Sequence, residues 1–212
     1  MQQLWYVAYG SNLSLERFRC YVLGGRPPGG SRRYPGCRDP REPQAVVSLT
    51  IPGGIYFAGR SSVWGGGMAL HDSRVAGSVA ARGYLLSAEQ FVDVLAQEMR
   101  QNPGADLDLA PVHDSGEHTF GQGRYETLVR VGSRDGLPMV TFTCSRDAAR
   151  DLAAPTEDYL NTMISGLREA HGWSTTRIAD YLAAVPGAAG AWTAEQIAAL
   201  AVVDAAPAGS LR

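Results

Sequence analysis

The stretch Leu4-Trp5-Tyr6-Val7-Ala8-Tyr9-Gly10-Ser11-Asn12-Leu13-Ser14 carries the main structural decision of this chain. Its first six residues are apolar on both alternating faces, as in a strand covered on both sides. Gly10-Ser11-Asn12 breaks the run, and Ser14 is a capping residue for a helix reaching about Leu23. A strand passing into a helix leaves unpaired backbone N–H groups at the junction, where the helix dipole favours negative charge. Gly10 permits close backbone approach, and Ser11 and Asn12 add side-chain donors. The turn therefore suits a carboxylate or an oxyanion, although the same residues also make an ordinary turn.

Outward from this stretch, residues 45–51, 55–58, 67–71 and 75–86 read as successive strands separated by Gly-rich turns. Ser87 and Gln90 form a capping-box pattern that opens a helix over 88–100. Residues 125–131 and 139–144 read as a hairpin around Arg134-Asp135-Gly136. The last third is helical, with starts at Pro155-Thr156, Ser174 and Trp192-Thr193; Gln196 completes a capping box and Ile197 is placed to staple against Trp192. Two segments break the pattern and read as irregular insertions. One, at about 24–43, is rich in Gly and Pro and holds Arg26, Arg32, Arg33, Arg38 and Arg41; the other, 101–123, holds Asp106, Asp108, Asp114 and Glu117. Residues 204–212 read as a flexible tail. Without regular βαβ alternation the order of elements predicts an α+β fold, and 212 residues predict one domain.

Apolar residues make up 45% of the chain and charged residues 19%, enough for a packed core. The formal net charge of −2 gives no global attraction to nucleic acid or an anionic membrane. All 19 basic residues are arginine, which removes Schiff-base and P-loop lysine chemistry. Three cysteines without a CxxC give no disulfide framework. No signal-peptide pattern or run of ~18 apolar residues is visible, so a soluble, cytoplasmic protein is expected.

One carboxylate stands out of pattern. On a helical wheel over 88–100, Phe91, Val94, Leu95 and Met99 share a stripe, and Glu98 falls between Val94 and Leu95 on it. Glu89, Asp93 and Gln97 point to the opposite side. Burial raises a carboxyl's pKa above ~4.3, which suits a general acid/base. A structural partner for one of the arginines, or a side chain reaching solvent near the helix end, also accounts for Glu98.

Val7-Ala8-Tyr9-Gly10-Ser11-Asn12-Leu13 closely resembles the signature turn of the gamma-glutamylcyclotransferase-like (AIG2-like) family. The stretch from Val79 to Ser87, followed by a helix bearing Glu98, is similar to the strand and helix that lead to that family's catalytic glutamate. Gly123-Arg124-Tyr125 resembles its Tyr-bearing strand, and Trp64-Gly65-Gly66-Gly67-Met68-Ala69 a Gly-rich strand entry. The resemblance implies a small mixed β-barrel flanked by helices, no cofactor, and release of 5-oxoproline from a gamma-glutamyl amide. The substrate's own α-amine would attack its γ-carbonyl, with Glu98 as the catalytic acid/base. Tyr9, Gly10, Ser11, Asn12 and Leu13 would bind the substrate, and Tyr125 would orient it. Leu95, Met99 and Ala81 depart from the family's usual residues, which keeps open hydrolysis or acyl transfer on another amide, or a non-catalytic binding module.

Other constellations are weaker. The arginines of the first insertion suit a phosphate, another anionic group or an acidic carrier, or simply pair with the acidic insertion. His113, Asp114, Glu117 and His118 are crowded, but their spacing fits no familiar zinc pattern, so no metal and no zinc-dependent deacetylase is expected. No Gly-x-Ser-x-Gly elbow is present, and Cys144 reads as core.

Overall fold

The computed structural model describes residues 2–27, 32–121, 123–145 and 151–203. The opening strand β1 (Gln3–Ala8) runs through the middle of a six-stranded sheet and divides its side chains between two cores. Trp5 and Val7, with Tyr9 beyond the strand, enter one core; Leu4, Tyr6 and Ala8 enter the other. This alternation is why every one of these positions is apolar.

The other strands are β2 (Ala45–Pro52), β3 (Gly54–Ala58), β4 (Met68–Asp72), β5 (Ser78–Ser87), β6 (Glu117–Thr119), β7 (Thr127–Arg134) and β8 (Leu137–Thr143). The sheet order is β2-β5-β1-β8-β7-β6, with β3 and β4 forming a separate ribbon. β1 pairs antiparallel with β5 and parallel with β8, so the sheet is mixed as expected. The expected barrel is not closed: β2 and β6 are open edges. The ribbon joins the sheet through Thr143, whose Oγ1 accepts from His71 N–H at 3.1 Å and donates to His71 C=O at 2.9 Å. A side chain there takes the place of a backbone ladder.

Helices α1 (Leu15–Val22) and α2 (Ala88–Glu98) cover the second core, with α3 (Ala110–Ser115) at its margin. Helices α4 (Glu157–His171), α5 (Thr175–Ala183) and α6 (Ala194–Val203) cover the first. The predicted starts are present: Ser14, Ser87 and Ser174 accept from the third backbone N–H of α1, α2 and α5. Thr193 and Gln196 cap each other reciprocally, and Ile197 is fully buried. No helix of the described residues is long and apolar enough to cross a membrane.

Two expectations are corrected. The segment 101–123 is not wholly irregular, since it contains α3 and β6. Of the α2 residues expected to point outward, Glu89 is exposed but Asp93 and Gln97 are buried, at most 1% exposed. The first insertion lies on that face. Gln90 Nε2 donates to the carbonyls of Asp39 (3.1 Å) and Arg41 (2.8 Å), and Gly36 N–H donates to Gln97 Oε1 at 3.3 Å. Asp93 accepts from Arg38 N–H at 2.8 Å, Arg38 Nε at 3.1 Å and Gly104 N–H at 3.3 Å, tying both insertions to one helix. Among the described residues one ion pair, Arg38 to Asp106 at 3.3 Å, joins the basic insertion to the acidic one. The predicted flexible tail at 204–212 lies outside the described residues.

Candidate active site

Glu98 is the last residue of α2, where the apolar stripe of Phe91, Val94 and Leu95 runs out into a cleft. Asn12, 86 residues earlier in the chain, donates from Nδ2 to Glu98 Oε1 at 2.9 Å and to Tyr6 Oη at 3.0 Å. The backbone carrying Asn12 is fixed in turn by Tyr84, whose hydroxyl donates to the Asn12 carbonyl at 2.7 Å. Glu98 as a residue keeps partial exposure because it lines the cleft, while its carboxyl is enclosed by protein.

Burial pushes the Glu98 carboxyl above its ordinary pKa; Arg17 and the hydrogen bonds from Tyr21 and Asn12 oppose the shift without cancelling it. The negative end of α2 is also a poor place for a carboxylate. Arg17, on α1, is 3% exposed and reaches Glu98 through a relay. Its Nη2 donates at 2.8 Å to the hydroxyls of both Tyr21 and Tyr34, and Tyr21 in turn hydrogen-bonds Glu98. Its guanidinium carbon stands 4.3 Å from the ring centre of Tyr21 and 4.5 Å from that of Tyr34. Burial alone works against the Arg17 charge, but Tyr21, Tyr34 and Glu98 outweigh it and raise the pKa. Arg17 Nε and Nη1 are buried without a hydrogen-bond partner.

The turn stands on the other side of the cleft as a single 3-10 turn, Ser11–Leu13. Tyr9, Gly10, Ser11, Asn12, Glu98 and Tyr125 together line one hollow, so the structure gathers six of the seven expected site residues. Leu13 stands apart: its side chain is fully buried and its N–H is spent on the Gly10 carbonyl at 2.9 Å. Tyr9 lends its hydroxyl to the Phe142 carbonyl at 2.8 Å. Tyr125 lies just ahead of β7 and packs edge-on against Phe142, with ring centres 5.4 Å apart. Burial raises its hydroxyl well above the usual tyrosine range, so it enters the site as a neutral donor.

Composition and periodicity pointed to none of Tyr6, Arg17, Tyr21, Tyr34 or Tyr159. Tyr159, on α4, takes the backbone N–H of Ser11 and, at 3.2 Å, that of Ala69; burial lifts its pKa to about 12. A Cβ on Gly10 would sit 2.9 Å from Tyr159 Oη, which explains a glycine there. The hollow beside the Tyr9–Asn12 turn holds about 20 Å³, and the adjoining one lined by Arg17, Arg32 and Arg100, which also reaches Glu98, holds about 40 Å³.

Solved structures with this arrangement of elements are known. Gamma-glutamyl cyclotransferase superposes with a TM-score of 0.54 over 95% of this chain and 99% of its own, at 16% identity. The fold is that of gamma-glutamyl cyclotransferase. An uncharacterized protein from Homo sapiens shares it, with a TM-score of 0.52, 16% identity, and coverage of 95% of this chain and 99% of that one. No family model matches the chain. In sequence, the chain is 31% identical over 185 residues to histone deacetylase 5 of Arabidopsis thaliana, covering 78% of this chain. The chain spans 28% of that relative's length.

Within the gamma-glutamyl cyclotransferase fold, the chemistry on offer at the cleft is proton transfer. One carboxyl with a raised pKa faces hydroxyl donors and a buried guanidinium. Among the described residues no group of three or more His, Cys, Asp or Glu is gathered as a metal site. Cys144 is buried, with Sγ 3.5 Å from Tyr56 Oη, away from the cleft lining.

Proposed function

We propose that the protein cleaves a gamma-glutamyl amide by intramolecular attack of the substrate's α-amine, releasing 5-oxoproline and a free amine. The observation that carries this reading is the Glu98 carboxyl, held by Asn12 at 2.9 Å, in a cleft shared with the Tyr9–Asn12 turn. A cyclisation needs no protein nucleophile, and holding amine and carbonyl together does much of the work. It does need a base: the α-amine is an ammonium at neutral pH, and Glu98 with its raised pKa is matched to remove a proton. The neutral amine forms the ring C–N bond, and the proton on Glu98 passes to the departing nitrogen as the amide C–N bond breaks. The freed carboxylate takes the second proton from the ring nitrogen and hands it to the released amine, leaving a neutral lactam and an ammonium. Tyr125 and the Ser11 hydroxyl serve as donors to the γ-carbonyl oxygen as charge develops on it, while both Asn12 amide hydrogens stay on Glu98 and Tyr6.

A water needs about 10–15 Å³ of such space, so the cleft holds only a few waters and must widen for a gamma-glutamyl group. Arg100 is exposed and Arg32 half-buried at its mouth, so these are the side chains free to yield.

The test is incubation with a panel of gamma-glutamyl amines and dipeptides, with 5-oxoproline and free amine quantified by mass spectrometry. Equimolar 5-oxoproline and amine, lost in Glu98→Gln, is the expected result. A free glutamate or acyl conjugate in place of 5-oxoproline would move the reaction to hydrolysis or acyl transfer. Activity undiminished in Glu98→Gln would remove Glu98 from the mechanism.

A further inference from the structure

The lining of the larger hollow beside Glu98 is unbalanced in charge among the described residues. Four guanidiniums reach it from four separate parts of the chain: Arg17 from α1, Arg32 from the first insertion, Arg100 just past α2, and Arg124 ahead of β7. Glu98 is the one carboxylate among the described lining residues. Arg17, Arg32 and Arg100 have no carboxylate within ion-pair distance among the described residues. Arg17 keeps two buried N–H groups without a partner. Arg32 lies over the Tyr34 ring at 5.2 Å, and Arg100 takes a left-handed φ of 64°, which ends α2 and leaves the residue at the mouth. Uncompensated like charges around one small cleft repel each other, and this arrangement holds when an anion completes it.

The following rests on the cyclotransferase reading and extends it to the leaving group. A gamma-glutamyl group brings one α-carboxylate and one α-ammonium, which cancel. Against Arg17, Arg32 and Arg100, the three lining guanidiniums with no ion-pair partner among the described residues, Glu98 offsets one, leaving two positive charges for the rest of the substrate. We infer that the mouth of the cleft selects gamma-glutamyl amides whose departing amine carries a dianionic group, either two carboxylates or a phosphate monoester. Arg32 and Arg100 are its specificity residues, because both line the mouth and neither makes an ion pair with a carboxylate among the described residues. The bonds broken and formed are those of the cyclisation, and the dianion leaves unchanged on the free amine.

The experiment compares four amides: gamma-glutamylbutylamine, gamma-glutamylalanine, gamma-glutamylglutamate and the gamma-glutamyl amide of 2-aminoethyl phosphate. Binding to the Glu98→Gln protein is measured by calorimetry, and turnover by the wild-type protein is measured as 5-oxoproline. The dianionic amides should bind at least about tenfold more tightly than the butylamine, as charge-assisted hydrogen bonds allow. That preference should shrink with added salt and in Arg32→Gln and Arg100→Gln, but not in Arg41→Gln, whose arginine pairs with Asp39 elsewhere. Preference for gamma-glutamylglutamate identifies a dicarboxylate, and preference for the phosphate amide a phosphate; either supports the inference. Equal binding of all four, or a preference untouched by the Arg32 and Arg100 substitutions, overturns it even if 5-oxoproline forms. Selective binding without 5-oxoproline would instead overturn the cyclotransferase reading and leave the dianion site standing.

Discussion

Asn12 Nδ2 stands 2.9 Å from Glu98 Oε1, and that one hydrogen bond joins the turn after β1 to the end of α2. It connects a donor on one side of the cleft to the proposed base on the other. Removing it changes both the geometry and the acidity of the site.

Asn12→Leu should therefore raise the Glu98 pKa further, because a hydrogen bond to the ionised form is lost while burial stays. A base works only when ionised, so the acid limb of the kcat/KM profile should move to higher pH, by about one unit. Arg17→Met should move it the same way by removing the nearby positive charge. Measuring the pH–rate profiles of both variants checks this, and a downward shift in either would contradict the assigned electrostatics.

Glu98→Gln should stabilise the fold at neutral pH. The raised folded-state pKa means that the native protein binds more protons than the unfolded chain between the two pKa values. Stability from this group is then greatest at low pH and falls as pH rises through that window. The amide removes the penalty, so its advantage in Tm should be largest above the folded-state pKa and vanish below the ordinary glutamate value. Thermal unfolding of both proteins across pH decides; a variant less stable at pH 8 than at pH 4, relative to wild type, would go against it.

Asp93→Ala should cost about 3 kcal/mol, because a fully buried carboxylate is lost and the N–H groups of Arg38 and Gly104 are stranded. The loss should extend to catalysis, since the loosened insertion carries Tyr34, a partner of Arg17. Urea unfolding with parallel kinetics tests both halves. A stable but inactive variant would separate the insertion's role in the site from its role in the fold.

Gly166→Ala places a methyl group inside α4 only 2.5 Å from the Leu13 carbonyl carbon and the Ser14 nitrogen. Backbone cannot yield as a flexible side chain does, so overpacking of about 1–3 kcal/mol or a displaced turn is expected. Tm and kcat should fall together. An unchanged kcat would show that the position of α4 against the turn is not needed for catalysis.

Local chemistry was readable wherever a residue acts on its near neighbours. The caps Ser14, Ser87, Ser174 and Thr193 bond to N–H groups three residues away, and each was visible as a pattern. Glu98 was visible because an apolar stripe is a local periodicity. Asp93 and Gln97 were misjudged by the same periodicity, which describes α2 but not the insertion lying on it. The β3–β4 ribbon meets β8 through the Thr143 side chain, and no strand pattern encodes such a contact.

By itself the sequence determined a two-faced central strand, a polar turn entering a helix, and an acidic group on an apolar helical face. Those properties depend on residues within a few positions of one another. The tertiary structure alone decided that Asn12 meets Glu98, that Arg17 reaches it through Tyr21, and that arginines from four segments crowd one cleft. Such meetings depend on how the α1 and α2 helices and two insertions pack around a shared sheet. Packing is a property of the whole chain's burial, which a local pattern does not carry.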